Sequence, residues 1–261
     1  MEVSGKVVVV TGGGNGIGAA LARRFAAEGA AAVVVADLDT RAAGRVAAEV
    51  GGLAIETDVS TESDVVRLIE TTQDRYGPID LFCANAGIAF AGSEQSPDED
   101  WDRMWRVNFF SHVYATRHLL PAWLSRGSGY FLATASAAGL LTNIGAAQYT
   151  VTKHAVVAFA EWLAITHGDA GIRVSCLCPQ GVETRMLEES GPVANLLRAT
   201  ALTPEQVASV VVDGLARESF LILPHPEVGE YLANKVADPD RWLAGMRRLQ
   251  QKIDEATKME E

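Results

Sequence analysis

The chain has 261 residues, 48% hydrophobic and 21% charged, a composition that supports a large packed core and excludes disordered, collagenous and coiled-coil classes. Twenty-two Lys and Arg against 33 Asp and Glu give a formal net charge of −11. No basic block is available to track a phosphate backbone, which argues against nucleic acid as a partner.

In chain order, seven short apolar or β-branched runs alternate with helical stretches: Val7 to Val10, Ala32 to Ala36, Leu53 to Glu56, Ile79 to Ala84, Tyr130 to Ala135, Ile172 to Cys178 and Phe220 to Leu223. Apolar strands alternating with helices predict right-handed βαβ crossovers and a doubly wound α/β domain, its parallel sheet covered on both faces. Two helix starts carry capping signals. In Ser96-Pro97-Asp98-Glu99 the serine is expected to cap, with Pro at the first helical position and Glu completing a capping box; Thr203-Pro204-Glu205-Gln206 repeats the device. No linker divides the chain, so residues 1–223 read as one domain, with an irregular stretch at about 185–202 and a charged extension over 224–261. The three cysteines, Cys83, Cys176 and Cys178, lie in apolar runs and read as buried thiols of a reducing compartment; a metal at Cys176 and Cys178 would lack a second ligand pair. Without a signal-peptide pattern or an apolar run of about 20 residues, the expectation is a cytoplasmic protein with no membrane contact.

Directly after the first strand comes Thr11-Gly12-Gly13-Gly14-Asn15-Gly16-Ile17-Gly18, which runs into a helical segment. Glycines at a strand-to-helix turn let the backbone approach a diphosphate, while the free N–H groups and positive end of the helix attract it. A tight turn with no ligand is the plain alternative. The ending Gly18-Ala19-Ala20 lacks the Lys-Ser/Thr of a Walker loop. Asp37 closes the second strand 19 residues beyond Gly18, near the spacing at which an acidic side chain meets an adenosine ribose. Its carboxylate would repel the 2′-phosphate of NADP by about 4 kcal/mol at ~4 Å and an effective dielectric near 20. Asp39 adds a second negative charge and Asn15 is neutral, so the reading is NAD. The alternative for Asp37 and Asp39 is a solvated loop pair.

In Gly145-Ala146-Ala147-Gln148-Tyr149-Thr150-Val151-Thr152-Lys153, the tyrosine and lysine stand four apart on a predicted helix and share a face. A nearby ammonium favours phenolate and would bring the phenol toward the range of general acid-base catalysis. Ser136 follows an apolar strand, where its hydroxyl can sit at the carboxyl edge of the sheet. Asn108 shares the apolar face of its helix with Trp101, Met104 and Trp105; by itself it reads as a satisfied core amide.

The ordered set of glycine loop, Asp37, Asp58-Val59, Asn85-Ala86-Gly87, Asn108, Ser136, Tyr149 with Lys153, and Pro179, Val182 and Thr184 resembles the short-chain dehydrogenase/reductase family over residues 5 to about 185. The resemblance implies a Rossmann-like sheet of strand order 3-2-1-4-5-6-7 and a tetrad of Asn108, Ser136, Tyr149 and Lys153. In it, Tyr149 exchanges a proton with the substrate oxygen, which Ser136 hydrogen-bonds. Lys153 holds the nicotinamide ribose and lowers the tyrosine pKa, and Asn108 stabilises a helix distortion that holds a relay water. It also implies that Asp58 contacts adenine, although that residue could equally cap a helix beginning near Ser60. Asn85, Ala86 and Gly87 would lay backbone against the cofactor, and Thr184 would meet the nicotinamide carboxamide.

Two departures stand out. Gln180 follows Pro179 where the family usually has glycine, with substrate contact and a solvent-facing side chain as its two readings. After Leu223 a long extension replaces the family's usual ending. Apolar Met186, Leu187, Pro192, Val193, Leu196 and Leu197 in the lid-like stretch, with Ile88, Phe90, Leu140 and Leu141, suggest an apolar alcohol or ketone substrate. The rival function is a non-catalytic NAD sensor or scaffold. The helix carrying Tyr149 continues through Val156, Val157, Phe159, Trp162, Leu163 and Ile165 with almost no polar face, which predicts contact with another subunit; the resemblance, whose members commonly pair such helices, implies a homotetramer, or a dimer as second choice. The alternative is that Tyr231, Trp242 and Met246 of the extension cover that face.

Overall fold

The computed structural model describes residues 1–188 and 197–260, with side chains through Glu255. Seven parallel strands, β1 (Val7–Thr11), β2 (Ala32–Asp37), β3 (Leu53–Glu56), β4 (Leu81–Ala84), β5 (Gly129–Thr134), β6 (Ile172–Leu177) and β7 (Leu221–Ile222), form one sheet in the order β3-β2-β1-β4-β5-β6-β7. β1 shows why the strands are apolar throughout. Successive side chains point to opposite faces, and both faces are covered: Val8 and Val10 pack with Leu21, Phe25, Val211 and Leu215, whereas Val7 and Val9 pack with Leu68, Leu119 and Leu163.

The first face carries α1 (Gly16–Ala27), α2 (Thr40–Val50) and α8 (Pro204–Ala216); the second carries α3 (Glu62–Tyr76), α5 (Ser111–Arg126) and α6 (Ala147–His167). Helix α4 (Asp98–Trp105) passes without a break into a π-helical segment, Arg106–Phe110, and then into α5. Beyond the sheet's carboxyl edge lie α7 (Arg185–Glu188), α9 (Glu227–Ala237) and α10 (Pro239–Glu260). Lys235 of α9 donates its ammonium to the Leu140 carbonyl at 2.7 Å, tying the C-terminal helices to the loop after β5. Within the lid-like stretch, Pro192, Val193 and Leu196 lie outside the described residues.

Strand and helix ends differ from the sequence reading for local reasons. β4 starts at Leu81 instead of Ile79 because the Ile79 carbonyl accepts from the Trp123 indole at 2.8 Å and from the Arg126 guanidinium at 2.5 Å. β7 shrinks to Leu221–Ile222, pairing with Cys176 and Leu177. The serine cap of α4 does not form: Pro97 takes the N-cap position without a side-chain bond, and the Ser96 hydroxyl instead accepts from the Ser93 N–H at 3.0 Å. The capping box of α8 forms as read, with Thr203 and Gln206 bonding reciprocally. No helix among the described residues is long and apolar enough to cross a membrane.

Candidate active site

β1 has β2 on one side and β4 on the other, so consecutive crossovers leave it in opposite directions and open a crevice at the carboxyl ends. The glycine loop lies there. Gly12 has φ +61, and a Cβ on it would stand 2.8 Å from the Ala86 backbone; on Gly18 a Cβ would stand 2.1 Å from the Gly12 carbonyl oxygen. Only glycine fits these approaches. The Thr11 hydroxyl fixes the loop to the end of β4, accepting from the Asn85 and Ala86 N–H groups at 3.0 and 3.1 Å, while the Asn85 amide donates to the Thr11 carbonyl at 3.1 Å. At the start of α1, Asn15 makes no side-chain cap and the first turn holds no acidic residue. Its N–H groups and dipole are therefore suited to an anion such as a diphosphate.

Asp37 at the tip of β2 accepts from the Gly14 N–H at 2.9 Å and the Asp39 N–H at 3.0 Å. Asp39, the second negative charge at this strand end, is engaged with backbone N–H groups. It caps α2, accepting from Ala42 and Arg41, and the Ala42 N–H holds its carboxyl below the usual range. Asp58 does not cap α3, whose N-cap is Thr61; its carboxylate turns back onto the Ser60 N–H at 2.9 Å.

A second group of side chains meets where β5, α6 and the π segment converge. Asn108 is fully buried in the π segment; its Oδ1 accepts from the Ile88 N–H at 2.8 Å and its Nδ2 donates to the Ile88 carbonyl at 2.9 Å and to the Thr152 hydroxyl at 3.4 Å. A π turn holds one more residue than an α turn, and such turns recur at functional sites. Ser136 caps a short 3₁₀ turn, Ala137–Gly139, and also reaches the Pro179 carbonyl at 3.5 Å. The Ser136 hydroxyl lies close enough to Tyr149 to favour its phenolate. Lys153, buried like Tyr149, donates to the Thr134 carbonyl at 2.9 Å and stands 5.7 Å from the centre of the tyrosine ring.

The electrostatics correct one expectation. Burial raises the Tyr149 pKa above its ordinary value, with the Ser136 hydrogen bond opposing, so the ammonium does not prevail in the protein alone. Burial also lowers Lys153 from 10.5 to about 8. His112, buried nearby, is depressed to about 3 by burial and is neutral at physiological pH. The Cys176 and Cys178 sulfurs lie 3.8 Å apart and buried; no group of three or more metal-binding side chains occurs among the described residues.

A cleft of about 1240 Å³ joins the two groups. It is lined by Gly12, Asn15, Gly16, Ile17, Asp37, Asp58, Val59, Asn85, Ala86, Gly87, Ser136, Tyr149, Lys153, Pro179, Val182 and Thr184. Thr11, Gly18 and Asn108 lie behind this wall. Of the apolar residues singled out in the sequence, Ile88, Leu141, Met186, Leu187 and Leu197 line the cleft. Phe90 packs against Met104 and Tyr149, and Leu140 packs against the core of the sheet's second face while its carbonyl accepts from Lys235.

One wall had no sequence signal for its destination. Tyr231, Trp242, Met246, Leu249 and Ile253 of the C-terminal helices line the cleft, so this side of the extension does not cover the outer face of α6. There Val151, Trp162 and Ile165 remain 43%, 54% and 76% exposed. Spacings of four, three and four put the α10 residues on one stripe, a pattern that reveals an amphipathic helix without naming its contact.

A nucleotide cradle opening onto a buried hydroxyl pair and ammonium defines a dinucleotide-dependent oxidoreductase. A family model described as short chain dehydrogenase matches residues 6–194, and the chain belongs to that family. Meso-2,3-butanediol dehydrogenase of Serratia marcescens is 37% identical over 221 residues, 81% of this chain and 87% of that protein. 1-Deoxy-11-beta-hydroxypentalenate dehydrogenase of Streptomyces exfoliatus is 33% identical over 247 residues, 91% and 90% of the two chains. A Burkholderia phymatum short chain dehydrogenase/reductase solved with NAD superposes with a TM-score of 0.85 at 27% identity, covering 92% of this chain and 96% of its own.

Proposed function

We propose that this protein is an NAD-dependent dehydrogenase that interconverts a secondary alcohol and a ketone on a largely apolar substrate, with Tyr149 as general acid/base. The observation that carries the reading is the shared cleft: the Tyr149 hydroxyl, paired with Ser136 and close to Lys153, faces the same space as the glycine loop and Asp37. When bound, the cofactor supplies the hydride acceptor or donor at its nicotinamide ring. The glycine loop and α1 N-terminus would hold its diphosphate, Asp37 the adenosine ribose, Asp58 and Val59 the adenine, and Asn85 to Gly87 with Pro179, Val182 and Thr184 the nicotinamide end.

The chain's residues divide the remaining work. Tyr149 takes the proton from the alcohol oxygen, or returns it to the ketone, while Ser136 holds that oxygen by a hydrogen bond. Lys153 supplies positive charge beside the phenol and a donor for the nicotinamide ribose. Asn108 positions the Ile88 backbone and stabilises the helix distortion that would hold a relay water. Alcohol-dependent formation of NADH tests the assignment; NAD binding with no turnover over a broad panel of secondary alcohols would favour a sensor or scaffold instead.

Cofactor preference follows from Asp37. Its carboxylate can accept from both ribose hydroxyls but repels a 2′-phosphate, so calorimetric titration is expected to give NAD an affinity at least about tenfold above NADP, a gap of roughly 1.4 kcal/mol. Equal affinities would refute the selection by Asp37.

The exposed stripe of Val151, Trp162 and Ile165 on α6, beside Phe110, is read as a subunit interface, because large apolar side chains clustered on one surface gain by burial against a second copy. Light scattering after size exclusion is expected to give a homotetramer of a cytoplasmic protein, with a dimer as second choice. A stable monomer at micromolar concentration would contradict it.

A further inference from the structure

Gln180 takes no part in the reaction described above, yet it lines the cleft with its amide oxygen buried and without a hydrogen-bond partner. Its backbone N–H donates to Nδ1 of His225 at 3.2 Å. In the neutral ring that acceptor nitrogen carries no proton, so the proton resides on Nε2, which is also buried and without a partner. A buried acceptor and a buried donor thus come from two residues already in contact. His225 stands between Pro224 and Pro226, two residues of fixed φ that restrict the backbone on either side of it, and it is itself buried. An amide turned so that its oxygen faces the imidazole would leave its nitrogen toward the cleft as a donor.

The position of this donor limits what it can meet. The carbonyl of the preceding Pro179 accepts from the Ala137 N–H at 2.8 Å and from the Ser136 hydroxyl at 3.5 Å. The backbone of Gln180 therefore begins one residue from a carbonyl that Ser136 contacts, and its side chain lines the same cleft as Ser136 and Tyr149. Leu141, Ile144, Met186 and Trp242 supply apolar wall to the same cleft.

We propose that Gln180, positioned by His225, determines specificity by hydrogen-bonding a second oxygen on the carbon next to the reacting one, so that the substrate is a vicinal diol or the corresponding α-hydroxy ketone. This rests on the dehydrogenase reading of the same cleft. In the oxidative direction the carbinol carbon loses a hydride to the nicotinamide and its hydroxyl loses a proton to Tyr149. The neighbouring hydroxyl stays intact and is the group read by Gln180. A polar contact in an apolar wall discriminates strongly, because an analogue without the oxygen leaves the amide unpaired.

The test uses matched pairs of alcohols that differ by one hydroxyl: 2-butanol with 2,3-butanediol, cyclohexanol with 1,2-cyclohexanediol, and 1-indanol with 1,2-indanediol, each assayed with NAD. The diol of at least one pair is expected to be preferred by about tenfold or more in kcat/KM. Gln180→Ala should bring that ratio close to one. His225→Asn, which keeps an acceptor for the Gln180 N–H, should retain the preference, whereas His225→Phe should lose most of it. Equal kcat/KM within every turned-over pair, or a preference that survives Gln180→Ala, would overturn the proposal. Gln180→Ala weakening NAD binding in calorimetry as much as it weakens diol turnover would also overturn it, by assigning the residue to the cofactor. Absence of turnover for all six alcohols would instead bring down the dehydrogenase reading and the inference with it.

Discussion

Tyr149→Phe is expected to reduce turnover at least about a hundredfold, the usual scale of general acid-base catalysis, while NAD affinity stays within a few fold. The substitution removes one oxygen and almost no volume, so the packing against Met104, Ala138 and Phe90 is kept and the loss isolates proton transfer. Because burial raises the phenol above its ordinary pKa, wild-type alcohol oxidation should climb as pH rises toward the alkaline range, where more phenolate is present. Steady-state kinetics with a calorimetric NAD titration measures both effects. Retention of more than a few per cent of the rate would remove Tyr149 from the acid-base role.

Lys153→Met should show an opposite effect on stability and activity. The ammonium is buried with a single carbonyl partner, Thr134, and burial lowers its pKa from 10.5 to about 8. A folded value below the unfolded one means that the charge destabilises the fold wherever both states are protonated, at pH below about 8. The penalty shrinks as pH rises from there to 10.5 and vanishes above it. At neutral pH it is about 3 kcal/mol, offset by roughly 1 kcal/mol for the hydrogen bond lost to Met. The cofactor-free variant is therefore expected to melt a few degrees higher at pH 7, with the difference narrowing above pH 8, while turnover falls at least about a hundredfold. Thermal unfolding at several pH values decides. A variant less stable than wild type at pH 7 would show that Lys153 is a net support of the fold.

The parts legible in the sequence are those whose chemistry is local. A glycine-rich turn between an apolar strand and a helix needs only neighbouring residues to be recognised, as does Asp37 at the end of the next strand. Tyr149 and Lys153 share a helical face by spacing alone. Asn108 was harder to read, because its bonds to Ile88 and Thr152 depend on a π segment that shifts the register within an otherwise continuous helix. The charge of Asp39 is legible in the sequence, whereas its capping of α2 depends on where that helix begins.

The largest gap was the C-terminal extension. The stripe of Trp242, Met246, Leu249 and Ile253 fixes which side of α10 is apolar but not what lies opposite. That depends on tertiary docking over the cleft, anchored by Lys235 at the Leu140 carbonyl. The Ser96 cap failed for a smaller reason: the same hydroxyl had a competing local partner in the Ser93 N–H, a choice composition does not reveal.

Hydride transfer between a secondary alcohol and a nicotinamide held beside Tyr149 is directly observable with an isotope. The most direct measurement uses a secondary alcohol deuterated at the carbinol carbon, incubated with NAD and the protein, with the products analysed by NMR. The expected products are the matching ketone and NADH carrying the deuterium on one face of nicotinamide C4, with neither formed by Tyr149→Phe. Ketone formed without label in the NADH, or the same yield from the Tyr149→Phe variant, would contradict it.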